Sequence, residues 1–177
     1  TRLGVTDLFV QVYRGGRAFY PADPPVERAP TVDTLAVDPL ALLLDRAHAR
    51  GLRVHAWVNV LSLSTRRDAK LLADLGREAI HVDRRGRSLL DYPGFDLPEP
   101  DRTFYRLGTP GLYLDPAVPS VRARLVATFR DLVLRYPALD GLHLDYIRHP
   151  DVLPFIPGSR FGVGLEFGYG ATSRARY

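Results

Sequence analysis

The chain alternates short apolar segments with amphipathic ones in a strand, helix, strand order. Residues 8–13 (LFVQVY) form a β-branched and aromatic run that ends at a glycine pair, which predicts a buried strand. Residues 38–51 combine an aspartate, a proline, apolar positions spaced three and four apart and a closing glycine, which predicts a helix. Residues 52–60 alternate as a second strand, and the crossover between the strands is long enough for parallel pairing.

The second half of the chain has the same pattern with a less regular start. Residues 121–136 predict an amphipathic helix and residues 139–147 a third strand. Asp115 precedes Pro116 and is expected to cap that helix. Before it, we expect a helix over 65–77, a short strand over 79–83, and an aperiodic stretch over 91–111 that forms a functional loop or lid.

Loop lengths favour a closed barrel over an open, doubly wound sheet. Long polar connections follow the predicted strands after Tyr13, Asn59 and Ile147, whereas the connections from helix to strand are short. This asymmetry is typical of a (β/α)₈ barrel, whose working face is built from the strand-to-helix loops.

Side-chain alternation separates apolar from polar positions on all three strands. Residues of one parity share a face of a strand, and the other parity is apolar throughout. In a barrel the polar parity points to the interior, where unpartnered polar groups are costly, so we expect a hydrogen-bonded network or a polar ligand there. The residues expected on this face are Phe9, Gln11, Tyr13, His55, Trp57, Asn59, Gly141, His143, Asp145 and Ile147.

Asp145 is the strongest candidate for chemistry, because a carboxylate on an apolar strand needs a partner or a function. A salt bridge to Arg148 or a hydrogen bond to His143 explains it equally well. Trp57, the only tryptophan, suits the apolar face of a sugar ring but is as often part of a core. Asn59 has two similar alternatives, a substrate hydroxyl or the cap of the following turn.

Composition excludes several classes of protein. The chain has 177 residues, no cysteine, a net charge of +4, and no apolar run long enough for a membrane span. Its arginines are scattered, so we expect no nucleic-acid partner. The glycine pair lacks the context of a phosphate-binding turn and the histidines lack metal-ligand spacing, so no cofactor and no metal are expected.

Four ordered motifs resemble the glycosyl hydrolase-like 10 family of bacterial proteins. The resemblance spans nearly the whole chain and includes residues 161–177, which are similar to the loop and helix start after the family's fourth strand. The four motifs are VQVYRGGRAFYP (10–21), DPLALLLDRAHARGLRVHAWVNV (38–60), YLDPAVPSVRARL (113–125) and DGLHLDYIRHP (140–150).

The resemblance implies an α/β fold, a partial (β/α)₈ TIM barrel with strands 2–4, their helices and long βα loops. Residues 1–177 would then be one incomplete barrel domain, without the first strand and the second half of the barrel. The last motif also looks like the fourth-strand motif of the α-amylase clan, which makes Asp145 the nucleophile. That clan usually has arginine at the position of His143, a departure from its pattern.

The implied function is hydrolysis of O-glycosidic bonds in a polysaccharide, with bacterial cell-wall glycan as a substrate class and the cell envelope or exterior as the location. The alternatives are a non-catalytic glycan-binding or scaffold protein, or an inactive truncated fragment. Glu166 and Asp115 are weak candidates for the second carboxylate. The residues assigned to substrate binding are Gln11, Arg14, His55, Trp57, Asn59, His143, Tyr146 and Arg148.

Overall fold

A computed structural model describes residues 4–154 and 165–176 of the chain. Residues 161–164 and 177 of the predicted tail motif lie outside the described residues. The strands are β1 (Asp7–Arg14), β2 (Arg17–Ala18), β3 (Glu27–Arg28), β4 (Arg53–Asn59), β5 (Ser62–Ser64), β6 (Tyr105–Leu107), β7 (Leu112–Tyr113), β8 (Gly141–Asp145) and β9 (Val152–Pro154). The α-helices are α1 (Pro30–Asp33), α2 (Pro39–His48), α3 (Lys70–Leu75), α4 (Pro119–Arg135) and α5 (Ala171–Arg174).

The main sheet has the strand order β3-β2-β1-β4-β8, and its three long strands are parallel. The three predicted strands and the helices α2 and α4 that connect them are confirmed. The result is a mixed α/β fold whose sheet is not closed among the described residues. That this sheet is part of a (β/α)₈ barrel therefore stays a prediction.

One face of this sheet is buried under α2 and α4, as the alternating pattern predicts. Val54, Ala56 and Val58 of β4 are fully buried against apolar residues of both helices. Asp38 accepts hydrogen bonds from the N–H groups of Leu40 and Ala41, which makes it the N-cap of α2. Burial of a large aliphatic side chain contributes about 1.5–3 kcal/mol, so this face stabilises the sheet strongly.

A β-bulge changes the face on which Tyr13 lies. Gln11 pairs with Trp57, but Tyr13 pairs with Val58, one position out of step. An extra residue in one strand turns the following side chains over. Tyr13 therefore lies in the core against Phe129 of α4, and the prediction that it shares a face with Gln11 is wrong.

A second layer, which we call the capping layer, covers the carboxyl ends of the parallel strands. It consists of the antiparallel pair β5-β7 and of a bridge between Ile80 and Leu114, and it encloses its own apolar core. The predicted helix over 65–77 is reduced to α3. Ala69, the residue before it, has non-helical backbone angles (φ −57°, ψ 126°), and Gly76, at φ +79°, ends it. The predicted strand over 79–83 is present only as isolated bridges.

The stretch over 91–111, predicted to be aperiodic, contains the short strand β6, which pairs with β9, and is also held by buried charges. Asp83 is fully buried and accepts hydrogen bonds from Arg87 and from the hydroxyl of Tyr92. Asp101 accepts from Arg85 and Arg87, so the two aspartates share one guanidinium. Buried charges of this kind need full pairing, and here they tie the stretch to the capping layer.

The outer face of β8 is only partly covered. Leu142 and Leu144 are 36% and 46% exposed, whereas the equivalent residues of β4 are fully buried. None of the helices in residues 4–154 and 165–176 has both the length and the hydropathy of a membrane span.

Glu27 joins β3 to the start of α3. Its carboxylate accepts hydrogen bonds from Arg17, from both Nη atoms of Arg66 and from the backbone N–H of Lys70, the first residue of α3. Burial opposes the charged form, but the bonds from Arg66, Lys70 and Arg17 outweigh it and lower the pKa of Glu27 to about 2.

We expect Glu27→Gln to lower the free energy of unfolding at pH 7 by about 1.5–3 kcal/mol, the range for hydrogen bonds to charged groups. Because the pKa of Glu27 is lowered, its stabilisation is complete above about pH 4.5 and is lost as the pH falls towards 2. Urea unfolding of both proteins between pH 7 and pH 2 measures this difference. Asp68→Asn is the control, since that exposed carboxylate also pairs with Arg66 and should change stability little. A difference that stays constant with pH would contradict the assignment.

Candidate functional site

Five polar or aromatic side chains lie together at the carboxyl end of the parallel sheet. The register sets Trp57 between Gln11 and His143, and it sets Asn59 beside Asp145. Cross-strand neighbours of this kind lie about 4.5–5.5 Å apart. The structure therefore brings together five of the nine predicted site residues, which we call the strand-end cluster: Gln11, Trp57, Asn59, His143 and Asp145.

Asp145 is half-buried and is held by two N–H donors. Its Oδ2 accepts from Nε1 of Trp57 at 3.0 Å, and its Oδ1 accepts from the backbone N–H of Tyr146 at 2.7 Å. These bonds fix both oxygens at the end of β8. The two simple partners considered from the sequence are engaged elsewhere: Arg148 pairs with Asp151, and the ring of His143 packs edge-on against Trp57.

Asn59 and Gln11 form the amide side of the cluster. Asn59 is buried, and its Oδ1 accepts a long hydrogen bond of 3.4 Å from Nε2 of Gln11. The strand register places Asn59, but not Gln11, directly beside Asp145. Amides that donate and accept at fixed positions are suited to sugar hydroxyls, which do both.

His55 lies in a different part of the sheet. It is the third residue of β4, and its Nε2 bonds to Asp7 at 2.8 Å while its ring stacks on Phe9. Four residues along a strand separate it from Asn59, a distance of about 13 Å. The sequence pattern gives the correct face of β4, and the four-residue spacing already separates His55 from Asn59 along that face. The structure does not bring His55 to the strand-end cluster.

Tyr146, Arg148 and Arg14 also lie outside the cluster. Tyr146 has a left-handed backbone, with φ +54°, and its ring packs near Tyr113 of the capping layer. The guanidinium of Arg148 lies over the Tyr146 ring at 4.9 Å. Arg14 is exposed at the end of β1, opposite Arg17. A conformation such as that of Tyr146 costs about 1–3 kcal/mol and is often found at functional sites.

A second group of polar residues lies around Asp115 and His81. Asp115 is buried and accepts hydrogen bonds from the N–H of Ala117 and the hydroxyl of Ser173. The helix it was expected to cap begins only at Pro119, so that prediction is wrong. His81 lies 3.9 Å from Asp115 and 4.7 Å from the ring of His149. Only the tertiary structure joins His81, Asp115, His149 and Ser173, which are at least 24 positions apart in the sequence.

The sequence model of the glycosyl hydrolase-like 10 family matches residues 2–161, so the chain belongs to that family. Among curated proteins it is similar to the proteins named glycosyl hydrolase DigH of Escherichia coli K12 and of Shigella flexneri. Each is 28% identical over 167 residues, which cover 90% of this chain and 34% of the relative. The chain therefore spans about a third of the length of these relatives.

A solved structure has a similar fold. A hypothetical protein from Ruminiclostridium thermocellum ATCC 27405 superposes with a TM-score of 0.50 and 16% identity, over 90% of this chain and 72% of that one. At this identity the likeness concerns the α/β fold alone.

We expect the fluorescence of Trp57 to report on Asp145, because Trp57 is the only tryptophan and donates to that carboxylate. Asp145→Asn replaces the negative acceptor by a neutral amide and should change the emission intensity or wavelength. Asp45→Asn, on the exposed side of α2, should leave the spectrum unchanged. Identical spectra for Asp145→Asn and the parent protein would contradict the contact.

Proposed function

We propose that the protein acts on a polysaccharide as a glycoside hydrolase and that Asp145 is its nucleophile or general base. The observation that supports this proposal best is the position of Asp145, a half-buried carboxylate fixed by two N–H donors at the carboxyl end of a parallel strand. In (β/α)₈ enzymes the catalytic groups lie at these strand ends. Membership of a glycosyl hydrolase-like family supports a carbohydrate substrate.

The neighbouring residues supply groups that a sugar needs. Trp57 offers an apolar ring while its N–H is committed to Asp145. Asn59 and Gln11 offer amide oxygens and N–H groups for hydroxyls, and His143 is exposed beside them. We propose that these four residues hold the sugar over the carboxylate. His55, Tyr146, Arg14 and Arg148 remain predicted contacts, which a longer glycan would have to reach beyond the cluster.

Glycoside hydrolysis normally uses two carboxylates, about 5–5.5 Å apart for retention of configuration and about 6.5–9.5 Å for inversion. Within the strand-end cluster, Asp145 is the only carboxylate. This observation favours a second candidate function, the binding of glycan without cleavage by these 177 residues. The nucleophile or base would then need its acid partner from elsewhere in the active protein.

A domain-level proposal follows from the same observations. We propose that residues 1–177 form part of a larger (β/α)₈ barrel, with β1, β4 and β8 as its second to fourth strands. The parallel register and the partly exposed outer face of β8 support this arrangement. A bacterial cell-wall glycan as substrate and a location in the cell envelope are proposed on the family resemblance alone.

We expect Asp145→Asn to lower cleavage of the glycan by roughly 10²–10⁴-fold or more, the range for loss of a general base. The measurement is the release of reducing ends from bacterial cell-wall glycan and from other polysaccharides. Asp45→Asn on the outer helix α2 is the matched control and should retain full turnover.

The three possible results separate the candidate functions. Unchanged turnover in Asp145→Asn would refute its role. Loss of turnover with retained glycan affinity would support hydrolysis. Glycan binding by the parent protein without any reducing ends would support the non-catalytic alternative.

A further inference from the structure

A cavity of about 1020 Å³ lies in the capping layer, apart from the strand-end cluster. None of the nine predicted site residues lines it. Its volume is close to the upper end of the range for small-molecule sites, about 300–1,000 Å³. Its walls combine aromatic, acidic and hydroxyl side chains, among them Asp115, His149, Phe167, Tyr169 and Ser173.

The polar wall of this cavity is built on a buried carboxylate. Oδ1 of Asp115 accepts from the N–H of Ala117 at 2.8 Å, and Oδ2 accepts from the hydroxyl of Ser173 at 2.7 Å. Each carboxylate oxygen can accept a second hydrogen bond. Asp115 and Ser173 both line the cavity, so their oxygens can accept hydrogen bonds from a ligand bound there.

His81 lies directly behind this wall. It is 99% buried, and within the described residues neither ring nitrogen has a hydrogen-bond partner. Nδ1 lies 3.9 Å from Oδ2 of Asp115, just beyond hydrogen-bond distance. Burial lowers the pKa of His81, Asp115 opposes this shift, and the proximity of His149 adds to it. The ring is therefore neutral and leaves unused hydrogen-bonding capacity beside Asp115, which is unusual for a buried group.

Aromatic side chains also line the cavity. Phe167 and Tyr169 both line it, and the hydroxyl of Tyr169 donates to Glu166 at 2.7 Å, which fixes the orientation of the ring. Two cations, Arg174 and Arg176, and two carboxylates, Asp115 and Glu166, face the same space. The formal charges of these four side chains cancel, and His149 is a further polar group of the wall, so the site offers a neutral ligand both donors and acceptors. Aromatic rings together with hydrogen-bonding side chains are the combination that a pyranose ring requires.

The cavity lies near the strand-end cluster along a continuous ladder of backbone hydrogen bonds. The N–H of Leu61 donates to the carbonyl of Tyr146, and the N–H of Leu114 donates to the carbonyl of Leu61. Two strand spacings of roughly 4.8 Å therefore separate the backbones next to Asp145 and Asp115, about 10 Å in all. A single oligosaccharide is long enough to reach both places.

We propose that this cavity is a second sugar subsite, which binds a neutral pyranose unit of the same glycan that contacts Asp145. The apolar face of the sugar packs on Tyr169 and Phe167, and its hydroxyls donate to Asp115 and bond to Ser173. The proposal rests on the proposed function for the class of ligand, but it makes its own claim about residues outside the strand-end cluster.

Binding of chitotetraose, a neutral tetrasaccharide, to Asp145→Asn tests the proposal without interference from turnover. In that background, Tyr169→Ala should weaken binding at least about tenfold, since stacking and burial of the ring are both lost. Tyr169→Phe keeps the ring and should bind within about threefold of its parent. Leu42→Ala removes an exposed apolar side chain from the outer helix α2 and serves as the control. Circular dichroism and thermal unfolding establish that each variant is folded.

The results separate this proposal from the proposed function. Equal affinity in folded Tyr169→Ala and its parent would overturn the subsite even where Asp145 is essential for cleavage. Tighter binding of tetragalacturonate than of chitotetraose, with loss of that affinity in Arg174→Gln, would overturn its neutral character. If Asp145→Asn retains full cleavage while Tyr169→Ala still weakens binding, the subsite stands and the role of Asp145 falls.

Discussion

The structure depends on one ladder of backbone hydrogen bonds that continues from the parallel sheet into the layer above it. Val60 and Leu61 donate to the carbonyls of Asp145 and Tyr146, and Leu61 accepts from Leu114. Because the ladder passes directly beside Asp145, the capping layer cannot move without moving the strand ends. A rigid frame of this kind is what a catalytic or binding site needs if its side chains are to keep their geometry.

The polarity of the strands and this ladder together explain why the polar residues meet at one edge. Apolar side chains on one parity bury against α2 and α4, so the other parity must carry whatever polar groups the strands contain. At the carboxyl end these groups partner one another: an indole N–H satisfies Asp145, and one amide satisfies the next. These local hydrogen bonds offset the energetic cost of partly burying a carboxylate on a strand.

Much of this arrangement could be predicted from the sequence, because it depends on local pattern. The strands around Gln11, Trp57 and Asp145, the cap of α2 at Asp38 and the shared polar face follow from spacing alone. The reversal of Tyr13 does not, since it depends on one bulge in the register between β1 and β4. The capping role predicted for Asp115 is wrong. An aspartate before a proline has the same local sequence whether its side chain caps a helix or accepts a hydrogen bond from Ser173.

The two buried or half-buried carboxylates at this end of the molecule have different surroundings, and this difference assigns different tasks to them. Asp145 receives two N–H bonds on a strand end and keeps part of its surface accessible, as a group that meets a reacting atom must. Asp115 is almost fully enclosed. Its carboxylate accepts hydrogen bonds from a backbone N–H and from the hydroxyl of Ser173, and it lies next to the neutral ring of His81. A carboxylate so constrained is a fixed acceptor for a hydroxyl rather than a nucleophile. In the site we propose, Asp115 would bind the glycan and Asp145 would carry the chemistry, with their neighbouring backbones about 10 Å apart along one ladder.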